Sequence, residues 1–200
     1  NPTLVYNINT YSNDYPRREG IRHFEPNIKG EVKVIYNGYD PDKWRLNSTA
    51  QKEDIVLTVA HVADYRNYKI KGIDYFIEAA RRLPQYRFHL VGASRQLLQD
   101  LHLDLPENLI TFGRMSTDEL KAAYAQSRVF CLLSLTEGMP NVLSEAMLSQ
   151  CVPVGSNVNG IPYVIGDAGF IVKERNMDDI TRAISQADRK STRLNSSHYS

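Results

Sequence analysis

Two acids, Glu137 and Glu145, bracket a Gly-Met-Pro-Asn run, with seven residues between them. The apolar stretch RVFCLLSL (128–135) precedes this run, and NVLSEAMLS (141–149) follows with helical character. The first acid is therefore expected at a strand end and the second in the second turn of a helix. Gly138 lets the backbone approach a ligand closely, with Met139 beside it. Pro140 suits a first helical position, where its missing N–H costs little. The N–H groups near Asn141, Val142 and Leu143 are then free to attract an anion such as a phosphate. Taken singly, Glu137 fits an exposed loop acid and Glu145 a solvated helix residue. Together, around a Gly-x-Pro turn at a helix start, they fit a ligand site better.

A second cluster lies in VAHVADYRNYKIKGIDYF, where His61, Arg66, Lys69 and Lys71 follow an apolar strand and precede a helix starting near Gly72. Basic groups beside a helix N-terminus suit a doubly charged diphosphate. Lys71 is the best placed, because Gly72 leaves room for a phosphate against the backbone. Arg66 and Lys69 read as a solvated loop, and His61 fits the core edge and the site equally. A third loop, NVNGIPYVIG, shapes a turn at Gly160 and Pro162 with N–H groups around Asn159 to Ile161, a weak signal alone. The chain has no GxGxxG and no GxxxxGK[ST], which counts against dinucleotide oxidoreductases and P-loop NTPases. No His/Cys cluster has zinc spacing, and Ser134 and Ser144 lack a nucleophile-elbow context.

The elements that must position these residues alternate. Strands are expected at 55–62, 87–92, 109–113, 128–135, 152–155 and 169–172, and helices at 71–83, from Ser94, at 116–126, 141–149, 161–165 and 178–187. Ile73, Phe76, Ile77, Ala80 and Leu83 fall on one helical face. Ser116 and Glu119 form a capping-box pattern, with Leu120 and Tyr124 turned inward. Apolar strands separated by helices of this length make a parallel, doubly wound, Rossmann-like α/β sheet with helices on both faces. Such sheets bind ligands beyond the carboxyl ends of their strands, where all three loops lie.

The 200 residues carry 42% hydrophobic side chains, enough for a core, and a net charge of +1 that gives no footprint for nucleic acid. No run is apolar enough to span a bilayer, and no leader pattern opens the chain. Two cysteines sit in apolar runs without CxxC spacing and read as buried free thiols in a reducing, cytoplasmic compartment. Residues 1–40, with Pro2, Pro16 and Pro26, read as the remnant of a preceding domain and its linker, with EVKVIYNGYD as strand and turn at Asn37-Gly38. The Rossmann-like domain itself is expected over 41–187. Residues 188–200, aperiodic and polar, read as a disordered, non-native tail.

In order, these pieces resemble the carboxyl-terminal domain of family 4 glycosyltransferases, over about Val32 to Ala187. The resemblance begins at VIYNGYD, similar to that family's inter-domain junction, and is strongest at Glu137, Glu145 and the EGMPN and SEAM around them. It implies half of a two-domain GT-B fold and a retaining transfer of sugar from a nucleoside diphosphate to an acceptor hydroxyl. By the same likeness, Glu137 lies by the donor sugar and Glu145 binds the ribose. Gly138, Met139, Pro140 and Asn141 line sugar and phosphate. Val142 and Leu143 approach the diphosphate, Lys71 binds phosphate, and Phe112 and Gly113 lie near the base. Neither cofactor nor metal is implied. The acceptor site would come from an amino-terminal domain, through which the whole protein could associate peripherally with a membrane. This chain alone would then bind nucleotide without turnover. Two positions depart from the family pattern: Ala60-His61 stands where relatives have Gly-Arg, and Tyr163 where they have an acid. A nucleotide-sugar epimerase, a phosphorylase or a non-catalytic interaction module are the alternative readings.

Overall fold

In the computed structural model, residues 4–7, 27, 29, 32–35, 37–45, 51–93 and 95–196 are described. Two short strands, β1 (Leu4–Asn7) and β2 (Val32–Ile35), pair in parallel. Sequence patterning anticipates β2 but not β1. Pro2, Pro16, Pro26 and Ser94 lie outside the described residues, as do positions 197–200. After β2, the helix α1 (Pro41–Trp44) is capped by the Asp40 side chain, which accepts from the amides of Asp42 and Lys43.

The main sheet begins at β3 (Glu53–Val59) and continues through β4 (Arg87–Val91), β5 (Leu109–Phe112), β6 (Ser127–Leu132), β7 (Val152–Ser156) and β8 (Phe170–Val172). Its six strands are all parallel, in the spatial order β5-β4-β3-β6-β7-β8. The chain winds outward from β3 in one direction as far as β5, then returns to β6 and winds the other way. The switch point lies between β3 and β6, the place where sheets of this kind bind ligands beyond the strand ends.

Helices α2 (Tyr65–Ile70), α3 (Ile73–Arg82), α4 (Arg95–Asp100), α5 (Thr117–Gln126), α6 (Asn141–Leu148), α7 (Ile161–Ile165) and α8 (Met177–Ser196) connect or follow the strands. Neighbouring strand residues serve opposite faces: Val56 packs with Ile73, Phe76, Phe88 and Ile184, while Leu57 packs with Tyr124, Phe130, Leu143 and Ile161. This is why the strands read as uninterrupted apolar runs rather than alternating ones. The expected face of α3 is buried in full, and the capping box at Ser116 and Glu119 forms with both reciprocal bonds. Both cysteines are buried free thiols.

Three elements differ from expectation. Arg66 and Lys69 belong to a helix, not a loop, because the Asp64 carboxylate accepts from the Asn67 amide and caps a turn of its own. Pro140 is the N-cap of α6 rather than its first helical residue, so the helix opens at Asn141. The last helix continues to Ser196 instead of ending near Ala187. Its inner stripe extends from Ile180, Ile184 and Ala187 to the buried Ser191, and Lys190 Nζ donates to the carbonyls of Asp167 and Ala168.

Candidate functional site

The loop after β6 and the junction between α2 and α3 are fastened together at the switch point. The amide of Leu135 donates to the Ile70 carbonyl at 2.7 Å. Lys71 is the C-cap of α2, and Gly72, in the left-handed region at φ +67°, is the N-cap of α3. Gly72 cannot be replaced without moving the loop, because a Cβ there would run into the Leu133 carbonyl oxygen. The expected space beside Lys71 is thus filled by protein backbone, and the glycine serves the approach of two chain segments.

That approach brings Lys71 and Glu137 together. Lys71 Nζ donates to Glu137 Oε1 at 2.7 Å, with the side chains 28% and 14% exposed. The buried Ser134 donates its hydroxyl to the same oxygen at 2.8 Å. A lysine ammonium has three N–H donors; one is engaged by Glu137, and the other two have no partner among the described residues. The pairing was not legible in sequence, where the two residues are 66 positions apart.

Beyond Glu137 the chain passes Gly138, Met139 and the buried Pro140 into α6. The Leu143 amide closes onto the Pro140 carbonyl at 3.2 Å, while the first-turn amides of Asn141 and Val142 have no backbone partner among the described residues and face outward as helix-start donors do. Asn141 Oδ1 accepts from Asn37 Nδ2 at 2.8 Å and from the Tyr39 hydroxyl at 2.9 Å, which ties the start of α6 to the segment leading into α1. One turn on, Glu145 Oε2 accepts from the Tyr124 hydroxyl at 3.2 Å. Tyr124 is fully buried, with its ring edge-on to Trp44 and Phe130. Sequence patterning places Tyr124 in the core but not as the partner of Glu145.

Burial raises the Glu145 pKa above the ordinary carboxylate range, and the Tyr124 hydrogen bond offsets this only in part. The unfolded chain releases this proton at lower pH than the folded one. This group's contribution to stability therefore falls as pH rises from the unfolded pKa through the folded one. Glu145→Gln keeps an acceptor for Tyr124 and removes the buried charge. It is expected to raise the melting temperature of the ligand-free chain at neutral pH and to leave it unchanged below pH 4. Thermal unfolding across pH checks this; a lower melting temperature at pH 7 would contradict it.

The remaining positions spread out. His61, just past β3, is exposed rather than at the core edge. Arg66 is exposed on α2. Phe112 packs edge-on to His89, and the Gly113 carbonyl accepts from the Gly92 amide, both two strands from the switch point. Gly160 is buried at the start of α7, but the Ile161 amide is already bonded to the Val158 carbonyl, which leaves that turn fewer open N–H groups than expected. The adjoining Asn159 donates to Thr136 Oγ1, beside Glu137.

The family model for glycosyl transferases group 1 matches residues 54–188. An uncharacterized glycosyltransferase of Haemophilus influenzae is 27% identical over 150 residues, covering 69% of this chain and 40% of that protein. The serotype-specific mannosyltransferase WbdA of Escherichia coli is 28% identical over 153 residues, covering 73% of this chain and 18% of that protein. This chain therefore spans less than half the length of these curated relatives. Among solved structures, Anabaena Alr3699/HepE in complex with UDP-glucose superposes with a TM-score of 0.67 at 18% identity, covering 85% of this chain and 52% of that one. TarM superposes with a TM-score of 0.68 at 16% identity, covering 94% and 43%. At such identities the solved structures speak for the fold alone, which is the Rossmann-like half of a GT-B architecture. With the family model matching well over half its length, the chain belongs to the group 1 glycosyl transferases.

Proposed function

We propose that this chain is the nucleotide-sugar-binding half of a retaining, family 4 glycosyltransferase that moves a sugar from a nucleoside diphosphate to an acceptor hydroxyl. One observation carries the reading: Lys71 and Glu137 meet at 2.7 Å at the sheet's switch point, where α6 begins and Glu145 follows one turn later. Uridine diphosphate is the favoured nucleotide, because several similar structures were solved with UDP or UDP-glucose.

Charge builds on the departing β-phosphate as the anomeric carbon becomes cationic. Fixed donors aimed at that oxygen lower the barrier. Lys71 and the amides of Asn141 and Val142 serve this role without a metal. Glu137, held by Ser134 and Lys71, orients the sugar. Glu145, held by Tyr124, accepts from the ribose hydroxyls. Phe112 and Gly113 flank the base. The acceptor site belongs to a second domain of the full-length protein, and polysaccharide assembly is the setting proposed for it.

The test is product stereochemistry. The full-length protein, given its donor and acceptor, is expected to form a product of the donor's own anomeric configuration by proton NMR. Its rate is expected to be unchanged by a chelator. An inverted product, or a rate abolished by chelation and restored by a divalent cation, would overturn the mechanism.

A further inference from the structure

A third segment reaches the point where Lys71 and Glu137 are brought together. Arg175, in the loop between β8 and α8, donates from Nη2 to the Leu133 carbonyl at 2.8 Å. That same oxygen lies against Gly72, and Nη2 would be 2.8 Å from a Cβ built on that glycine. The guanidinium lies over the ring of Tyr75, on the first turn of α3, at 4.4 Å from its centroid. Arg175 thus grips the loop that carries Glu137 through Leu133 and the helix that follows Lys71 through Tyr75. Its planar fork and flat stacking face suit both contacts at once, which a lysine ammonium does not.

The arrangement is costly for a purely structural contact. Arg175 Nε is buried with no hydrogen-bond partner among the described residues, and burying an unpartnered polar atom is unfavourable. An apolar side chain packed on Tyr75 would avoid that penalty, but it would leave the Leu133 carbonyl unheld.

We infer that Arg175 is a positioning residue for the Lys71–Glu137 pair, fixing the separation of the two segments so that the remaining Lys71 donors meet the donor's diphosphate. The inference rests on the reading of Lys71 as the phosphate-binding lysine. It assigns no contact between Arg175 and the substrate.

The experiment is a double-mutant cycle on the 200-residue chain, titrated calorimetrically with UDP, GDP and ADP. Arg175→Ala is expected to weaken binding of the preferred nucleotide about tenfold in the native background, and less than about twofold when Lys71 is already alanine. A contact that serves stability alone would give the same fold-loss in both backgrounds, and that result would overturn the inference. Unchanged affinity in Arg175→Ala would overturn it too, while leaving Lys71 as the phosphate ligand. A folded native chain that binds no nucleotide would instead remove the reading beneath it, and the inference with it. If Arg175→Ala does not fold, Arg175→Lys carries the same cycle. It keeps a charge and a donor but loses the fork, so a loss of about threefold confined to the Lys71 background is expected. A loss of equal size without Lys71 would overturn the proposal.

Discussion

Replacing Lys71 with alanine is expected to lower kcat/KM of the full-length protein by about 10²–10³-fold, the usual effect of deleting one donor aimed at a developing oxyanion. The size of the effect follows from position. Lys71 is held 2.7 Å from Glu137 with little of its side chain in water, so no solvent shell can substitute readily for the ammonium. Lys71→Glu is expected to be worse, because it sets two carboxylates against each other beside an incoming diphosphate. Lys69→Ala provides the comparison. Lys69 is a more exposed lysine in an ion pair with Asp74, and removing a surface pair changes stability by about 1 kcal/mol or less. Steady-state kinetics on the three variants check this. A Lys71→Ala enzyme within threefold of the native rate would contradict the assignment.

The largest expected loss of stability lies away from the site, at Lys52. This lysine is 6% exposed. Its ammonium donates to three carbonyls, those of Tyr124 at 2.8 Å, Ser127 at 2.9 Å and Ser149 at 2.7 Å, and lies 3.6 Å from the Cys151 thiol. Burial lowers its pKa from the ordinary lysine value, and the neighbouring Cys151 offsets part of this. The three carbonyls come from the end of α5, the start of β6 and the end of α6, so a single group joins the elements that carry Tyr124 and Glu145. Lys52→Ala leaves the Ser149 carbonyl without this donor, while the Tyr124 carbonyl keeps the Ser127 amide and the single Cys151 thiol is left to serve the Ser127 carbonyl. At about 1–3 kcal/mol for a buried group left unsatisfied, and with weaker donors remaining at the other two, a loss of roughly 2 kcal/mol or more is expected. That is a large part of the 5–15 kcal/mol typical of a domain. Lys52→Met separates packing from hydrogen bonding, since it refills the volume but donates nothing. Urea unfolding is expected to show both variants losing a similar amount. Recovery of native stability by methionine would mean that the carbonyls do not depend on the ammonium.

These two lysines mark what sequence patterning can and cannot reach. The parallel sheet, the face of α3 and the capping box of α5 are legible because each is written in local periodicity or in a fixed spacing of residue types. The candidate site is legible in part for the same reason: Glu137, Gly138, Pro140 and Glu145 sit within one strand-turn-helix unit. Lys71 is legible through its neighbour Gly72, though the glycine's actual reason is the close approach of Leu133. The partners are not legible, because they come from distant loops. Ser134 and Arg175 reveal nothing of their contacts in local pattern, and the hydroxyl of Tyr124 is invisible behind its apolar ring. Lys52 reads as an ordinary charge before a strand, since nothing near it in sequence announces three carbonyls from residues 124, 127 and 149. The helical character of 65–70 and 188–196 is hidden in sequence for the opposite reason. There, polar composition concealed a side-chain cap in one case and the continuation of a buried stripe in the other.

The strand ends at the switch point, with Lys71 and Glu145, are expected to hold a nucleoside diphosphate. Calorimetric titration of the chain with UDP, GDP and ADP tests it most directly, with Lys71→Ala and Glu145→Ala beside the native sequence. One nucleotide is expected to bind, UDP before the others, with both substitutions weakening it. A chain that unfolds cooperatively yet binds none of the three, or binds one equally well without Lys71 and Glu145, would contradict that expectation.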